Sequence, residues 1–380
     1  MKNQSLYLLA FITLVFPLFG ELNKNQRNVQ EQLQSITQPT PQEGMILNEL
    51  ANLEEKELQH ALNQLSGEQY TSLAVAHEIT GSNFLHHIYA SLRPTIITEP
   101  CPYACCSELP IGGIWLQGAG GQTFINNCKH AHNTLSNNYL VSAGAHFIYD
   151  CDLTFGIAAG YGENHLDYHR DGKGKSRYGF GGLYGLYRPL GYYIFADLAY
   201  GNSSNTLKRH IQLNDLGFAS HSRPESHEIL GYIETGMDCF LWDLLVQPFL
   251  GLEGNAIFCS RNKEWGGSPL NLSVSSHSFG NVYSHLGAHI TMDMSYLLVS
   301  ADVTWKFRLN PAHHKIAVRF QSFGDKFNIK DVKRGQSYFE GALAIVTPTC
   351  RGFNAYAEIS GFVGYHSAAY QGLIGVKLNW

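Results

Sequence analysis

His165, Asp167 and His169 recur at every second position, so an extended chain would project three potential metal ligands from one side. At a loop mouth such an H-x-D-x-H triplet is more often simply solvated. The pairs His86-His87 and His313-His314 read the same way, and no metal site is assigned. A hydrolase would need a nucleophile and a base held within hydrogen-bond reach of each other. With 18 His and many Ser, chance triads are easy to draw, so composition supports none. Gly172-Lys173-Gly174 opens no helix and therefore lacks a phosphate cradle. The 8 Cys contain no paired CxxC; Cys101-Pro-Tyr-Ala-Cys105-Cys106 is close-packed but has no partner pair for zinc. No catalytic, cofactor-binding or metal residue follows from these patterns.

Composition narrows the class of chain that holds them. Only 15% of residues are charged, the mean hydropathy is −0.15, and Gly and aromatics are plentiful. A soluble α/β enzyme carries charge on roughly a quarter of its residues. A barrel that is apolar outside and polar inside averages to near-neutral hydropathy, because neighbouring side chains face opposite ways. The net charge of −5 gives no reason to expect nucleic-acid binding. At the N-terminus, Lys2 precedes an apolar run from Leu6 to Phe19, followed by Gly20 and Glu21. Residues 1–20 read as a signal peptide, too short for a comfortable transmembrane helix. Cys is absent near Gly20, which argues against a lipoprotein cleavage site.

The hydrophobic period then separates two regions. Residues 21–67 read as a polar linker to about Gln42, followed by a helical stripe through Leu47, Leu50, Leu58, Ala61, Leu62 and Leu65 that Gly67 ends. Residues 68–94 read as a second helix, with Phe84, Leu85, Ile88, Tyr89 and Leu92 on one side and Pro94 as its stop. From 95 to 380 the period becomes two. Tyr139, Val141, Ala143, Ala145, Phe147 and Tyr149 alternate with small or polar residues, and Asp197, Asp302, Lys306 and Glu358 all fall opposite the apolar face. Twelve strands are expected, near 112–125, 136–149, 151–166, 175–188, 190–205, 226–239, 244–260, 276–293, 296–309, 336–348, 352–364 and 369–380. Their connections alternate between tight turns and longer polar loops, including 205–225, 261–275 and 310–335. A soluble sandwich has no reason to sort loop lengths by end, whereas outer-membrane barrels do. The expected fold is all-β: a twelve-stranded antiparallel transmembrane β-barrel with an N-terminal α-helical segment plugging its lumen.

Several segments resemble the translocator domain of monomeric autotransporters, the type V secretion family. Asn25-Gln26 through Leu33, the helix Ala61-Leu62-Asn63-Gln64-Leu65-Ser66-Gly67-Glu68, and Gly113-Ile114-Trp115-Leu116-Gln117-Gly118 each stand where that family has a similar segment. Glu264-Trp265-Gly266-Gly267 leading into Leu270–Val274 does so too, as does Val303-Thr304-Trp305-Lys306, where Lys306 replaces the family's His. The resemblance implies a helix threading the lumen. Twelve strands leave space for one, and the 25 residues from Glu68 to Leu92 at about 1.5 Å each give roughly 37 Å, enough to cross the hydrocarbon layer. Trp380, Leu378, Val376, Ile374 and Tyr370 resemble the terminal-strand signal read by the barrel-assembly machinery.

The implied function is a non-enzymatic translocator in the outer membrane of a Gram-negative bacterium, with surface-exposed loops. It would expose or export a short N-terminal segment, because few residues separate Gly20 from Asn25 and no long passenger is expected. Its implied partners are outer-membrane lipids, the assembly machinery and periplasmic chaperones, with no cofactor. Cys101, Cys105, Cys106, Cys151, Cys239 and Cys350 fall toward the short-turn end, where disulfides to the barrel itself or to other envelope proteins are an expectation. The alternatives are a surface barrel acting as adhesin, structural envelope protein or pore and, further off, an outer-membrane phospholipase or protease.

Overall fold

The computed structural model describes residues 22–96, 112–125, 133–150, 152–310, 315–330, 335–348, 350 and 352–380. Residues 1–20, read from the sequence as a signal peptide, and Cys101, Cys105, Cys106, Cys128, Cys151 and His313-His314 lie outside them.

Twelve strands make the wall: β1 (Gly112–Ile125), β2 (Thr134–Asp150), β3 (Leu153–Asp167), β4 (Gly172–Tyr187), β5 (Tyr192–Leu213), β7 (Glu225–Met237), β9 (Leu244–Cys259), β12 (His277–Asp293), β13 (Leu298–Arg308), β16 (Ser337–Val346), β17 (Phe353–Gly364) and β18 (Ser367–Asn379). Each pairs antiparallel with the next, and β18 returns to β1 from Gly113↔Asn379 to Ile125↔Ser367, so the barrel has no free edge. The two-residue period is what makes a wall with two different sides. Along all of β5 the odd-numbered residues are buried and the even-numbered ones are exposed or partly so. Ile194, Leu198 and Tyr200 point out, while Phe195, Asp197 and Arg209 point in. Asp302, Lys306 and Glu358 are also inside. On β18, Tyr370, Ile374, Val376 and Leu378 lie on the outer face, and Trp380, one residue past the strand, is exposed too.

Three connections expected to be loops carry strands. β5 runs on to Leu213 and pairs with β6 (Leu216–Ser222), from Leu207↔Ser222 to Leu213↔Leu216. The segments 261–275 and 310–335 contain β10 (Asn262–Lys263), β11 (Leu272–Val274), β14 (Lys315–Phe320) and β15 (Phe327–Lys330), which form a separate four-stranded sheet. At the other end, β8 (Cys239–Leu241) folds back on β9 within a tight turn. The extra strands alternate too, but their apolar residues face a second core that a reading limited to the lipid-facing belt does not include.

The N-terminal region also departs from a linker and one helix. α1 (Lys24–Gln34) occupies much of the stretch read as linker, started by a capping box in which Asn23 and Gln26 bond reciprocally at 2.8 Å. α2 (Pro41–Ala51) starts with the Thr40–Glu43 box and Pro41, and α3 (Glu55–Ser66) ends at Gly67, whose φ of +79° suits glycine. The stripe read as one helix is therefore two. α4 (Gln69–Ile96) continues past Pro94, where a stop was expected. Proline forfeits one backbone hydrogen bond, but Leu92 and Ile96 are fully buried and hold the last turn.

Val29, Leu33, Ile46, Leu50, Leu62 and Leu65 of α1–α3 share one core with Leu166, Ile211, Leu272, Val318, Phe320 and Ile329. These partners all lie at the long-loop end, so the three helices and the loop sheet form a cap over that mouth.

Candidate functional site: the helix in the lumen

α4 starts under the cap and ends at the opposite rim, where Gln247 Nε2 donates both to Ile96 O at 3.0 Å and to the turn residue Asp238 at 2.7 Å. Its sequence is not simply amphipathic because the wall around it is itself mixed. One side rests on apolar wall residues: Phe84 stacks on Phe180 at 4.8 Å, and Leu85, Ile88, Tyr89, Leu92 and Ile96 join a core with Leu140, Tyr184 and Phe195. At Gly160 the wall leaves no room for a side chain, since a Cβ there would stand 2.8 Å from Phe84. The sequence-derived lumen residues Phe84, Leu85, Ile88, Tyr89 and Leu92 are all buried in this contact.

The remaining sides of α4 are tied by polar groups. Near the cap, Glu78 accepts from Asn281 Nδ2 at 2.7 Å and from Tyr283 OH, while His77 lies 3.2 Å from Asn205 Oδ1. At mid-helix, His86 Nε2 meets Glu358 Oε1 at 2.5 Å, His87 Nδ1 meets Ser142 Oγ at 2.8 Å, and Gln117 Nε2 donates to His87 O at 2.6 Å. Toward the short-turn rim, Tyr89 OH meets His289 Nε2 at 2.8 Å. Arg93 forms the strongest clamp: Nη1 lies 2.7 Å from Asp302 Oδ2 and 2.8 Å from Ser300 Oγ, and Nη2 lies 2.8 Å from Glu358 Oε2. His289 in turn bridges Asp302 at 2.8 Å and Glu234 at 3.2 Å. Apart from the part-exposed His86, these groups are buried, so each needs its partners.

Between α4 and the β12–β18 side of the wall remains a cavity of about 190 Å³, bordered by Glu78, His86, His289, Lys306 and Gln371. Lys306 Nζ lies 2.7 Å from Glu253 Oε2, so the cations and carboxylates here largely neutralise each other.

At the mouth, Arg209 locks cap to barrel. Its guanidinium meets Glu264 at 2.5 and 3.1 Å and donates to Gln64 O at 2.9 Å and Leu270 O at 2.8 Å. Glu68 at the cap–helix junction accepts from Asn25 Nδ2 at 3.1 Å, and burial pushes its carboxyl up to about 8, with Asp171 nearby adding to the shift.

Among the described residues no group of three His, Cys, Asp or Glu is placed to hold a metal. His165, Asp167 and His169 do not converge: His165 faces outward beside Glu163, and Asp167 accepts from the His169 backbone N–H. His86 and His87 fasten the helix to the wall. Cys239 and Cys350 are exposed and, with half-buried Cys259, are free thiols. Sequence reasoning missed Arg93 as the centre of the clamp; the available signal was Asp302 and Glu358 on strand faces opposite the apolar belt.

Residues 114–360 match the family profile described as autotransporter β-domain. No curated protein sequence matches the chain. The fold is similar to the translocator domain of autotransporter NalP from Neisseria meningitidis, at 12% identity and a TM-score of 0.66, covering 82% of this chain and 98% of that one. It is also similar to the β-domain of the Bordetella autotransporter BrkA, at 15% identity and a TM-score of 0.50, covering 71% of this chain and all (100%) of that one.

Proposed function

The chain belongs to the family of autotransporter β-domains, translocator barrels of the Gram-negative outer membrane that serve type V secretion, and we propose that this one carries its own residues 22–66 through the lumen and holds them outside as a folded cap. The observation that carries this reading is the course of the chain. α1–α3 share a core with the long connections, and α4 leads from there through the barrel to the short-turn rim. In outer-membrane barrels the long connections face the exterior. A segment that enters the periplasm can reach that side only by passing the lumen.

The barrel acts here by transport and display, without hydrolysis. The apolar belt meets outer-membrane lipid, and the outward row of β18 ending at Trp380 serves as the strand engaged by assembly machinery after chaperones deliver the chain. Exposed Cys239 and Cys350 support a role in linking the rim to other envelope proteins.

An epitope inserted in the exposed segment between α1 and α2, after Thr37, tests the export. Antibody should label intact cells as strongly as permeabilised ones. Labelling only after permeabilisation would overturn the reading.

A further inference from the structure

One face of the β10–β11–β14–β15 sheet is apolar and packs under the cap through Leu272, Val274, Ile316, Val318, Phe320 and Ile329. Alternation puts Lys263, Lys315, Arg319 and Lys330 on the other face, all exposed. None of the four strands contains an Asp or Glu. Lys263, Ser273 and Arg319 share one rung, and Lys315 stands directly opposite Lys330. Lys263, Lys315 and Arg319 thus bring three positive charges to one exposed face whose strands carry no carboxylate, an arrangement that favours a bound anion.

The height of this face identifies the anion. β10 starts three residues after β9 ends, and β11 stops three residues before β12 begins, so the sheet continues the barrel wall upward. Ser275 N donates to Ala317 O at 2.9 Å, which carries the β11–β14 pairing one step beyond Val274↔Val318, toward the outer end of β12. There Ser278 pairs with Phe258, an outward aromatic one residue before the end of β9. The basic face therefore stands beyond the outer end of the lipid-facing wall, on the headgroup side, with Lys315 at its wall-proximal end. Arg319 and Lys263 stand about 13 Å further along the strands, at ~3.3 Å per residue.

We propose that this face binds the phosphorylated headgroup of the outer leaflet's glycolipid, with Lys263, Lys315 and Arg319 as the phosphate-binding residues. A row of cations rising from the membrane edge matches phosphates attached to the membrane's own lipid, and Arg and Lys suit phosphate oxygens.

The purified full chain in neutral detergent, titrated with bisphosphorylated lipid A, provides the test independently of which side the cap occupies in cells. Binding should weaken with salt. Each lost cation costs about fivefold, so K263Q/K315Q/R319Q should weaken binding about a hundredfold, whereas Lys56→Gln on exposed α3 should leave it unchanged. K263R/K315R/R319K should restore it, and heat-modifiable gel mobility reports that each variant's barrel is folded. Equal binding by the triple Gln variant, or equal binding of dephosphorylated lipid, would overturn the proposal. Heparin binding as tightly as the lipid would overturn the assignment to membrane glycolipid.

Discussion

Replacing Arg93 with Met keeps much of the side chain's length and removes its charge, leaving Asp302 and Glu358 facing each other inside the barrel. Arg93 reaches both at 2.7 and 2.8 Å, and the three side chains are 4%, 10% and 2% exposed. Removing one partner of such a buried pair costs about 3–5 kcal/mol, because the charges left behind stay desolvated. His86 and His289 still contact the two carboxylates, which favours the lower end of that range. Even 3 kcal/mol raises the population of undocked helix roughly 150-fold. Hydrogen exchange in detergent reads this directly: amides of residues 84–96 should exchange at least a hundredfold faster in R93M, while those of β3–β5 stay unchanged. Adding D302N and E358Q removes the uncompensated charges and should recover most of the protection. In planar bilayers R93M should show transient openings rare in the unmodified barrel. Exchange within threefold of the unmodified protein would refute the clamp, and so would a triple variant no better protected than R93M alone.

Glu68 makes cap docking pH-dependent. The docked carboxyl keeps its proton to about pH 8, against an ordinary 4.5 when released, so docking is strongest below 4.5 and weakens as pH rises through that window. The slope is at most about 1.4 kcal/mol per pH unit and flattens above 8; E68Q should abolish it in intrinsic-rate-corrected exchange of α1, and a slope that persists refutes the assignment. Phe84→Ala removes a fully buried ring stacked on Phe180 and should destabilise helix docking by about 3–5 kcal/mol, seen as lost α4 protection with unaltered heat-modifiable mobility. Arg209→Met leaves Glu264 buried without its cation and should sensitise the α1–α2 connection to protease while the barrel resists; unchanged cleavage would show that the apolar core alone holds the cap.

Much of the barrel was legible because its information is local. A period of two repeated over long strands, with tight turns at one end and long connections at the other, determines an antiparallel wall and its two faces without reference to any distant residue. The terminal strand's outward row, Tyr370 to Trp380, is written the same way. The cap was not legible. α1 looks like linker because its few apolar residues, Val29 and Leu33, meet partners such as Phe320 and Ile329 nearly 300 residues away. β10, β11, β14 and β15 were hidden because each is short and gains its stability only when the four meet.

The clamp shows the same division most clearly. The sequence puts Asp302 and Glu358 on the inner face by alternation, and Arg93 in a helix by its period. Which carboxylates that guanidinium meets depends on the rotation and depth of α4 in the barrel. Those are set by close packing of Phe84 against Gly160 and Phe180, a shape match between distant segments that no one-dimensional pattern contains.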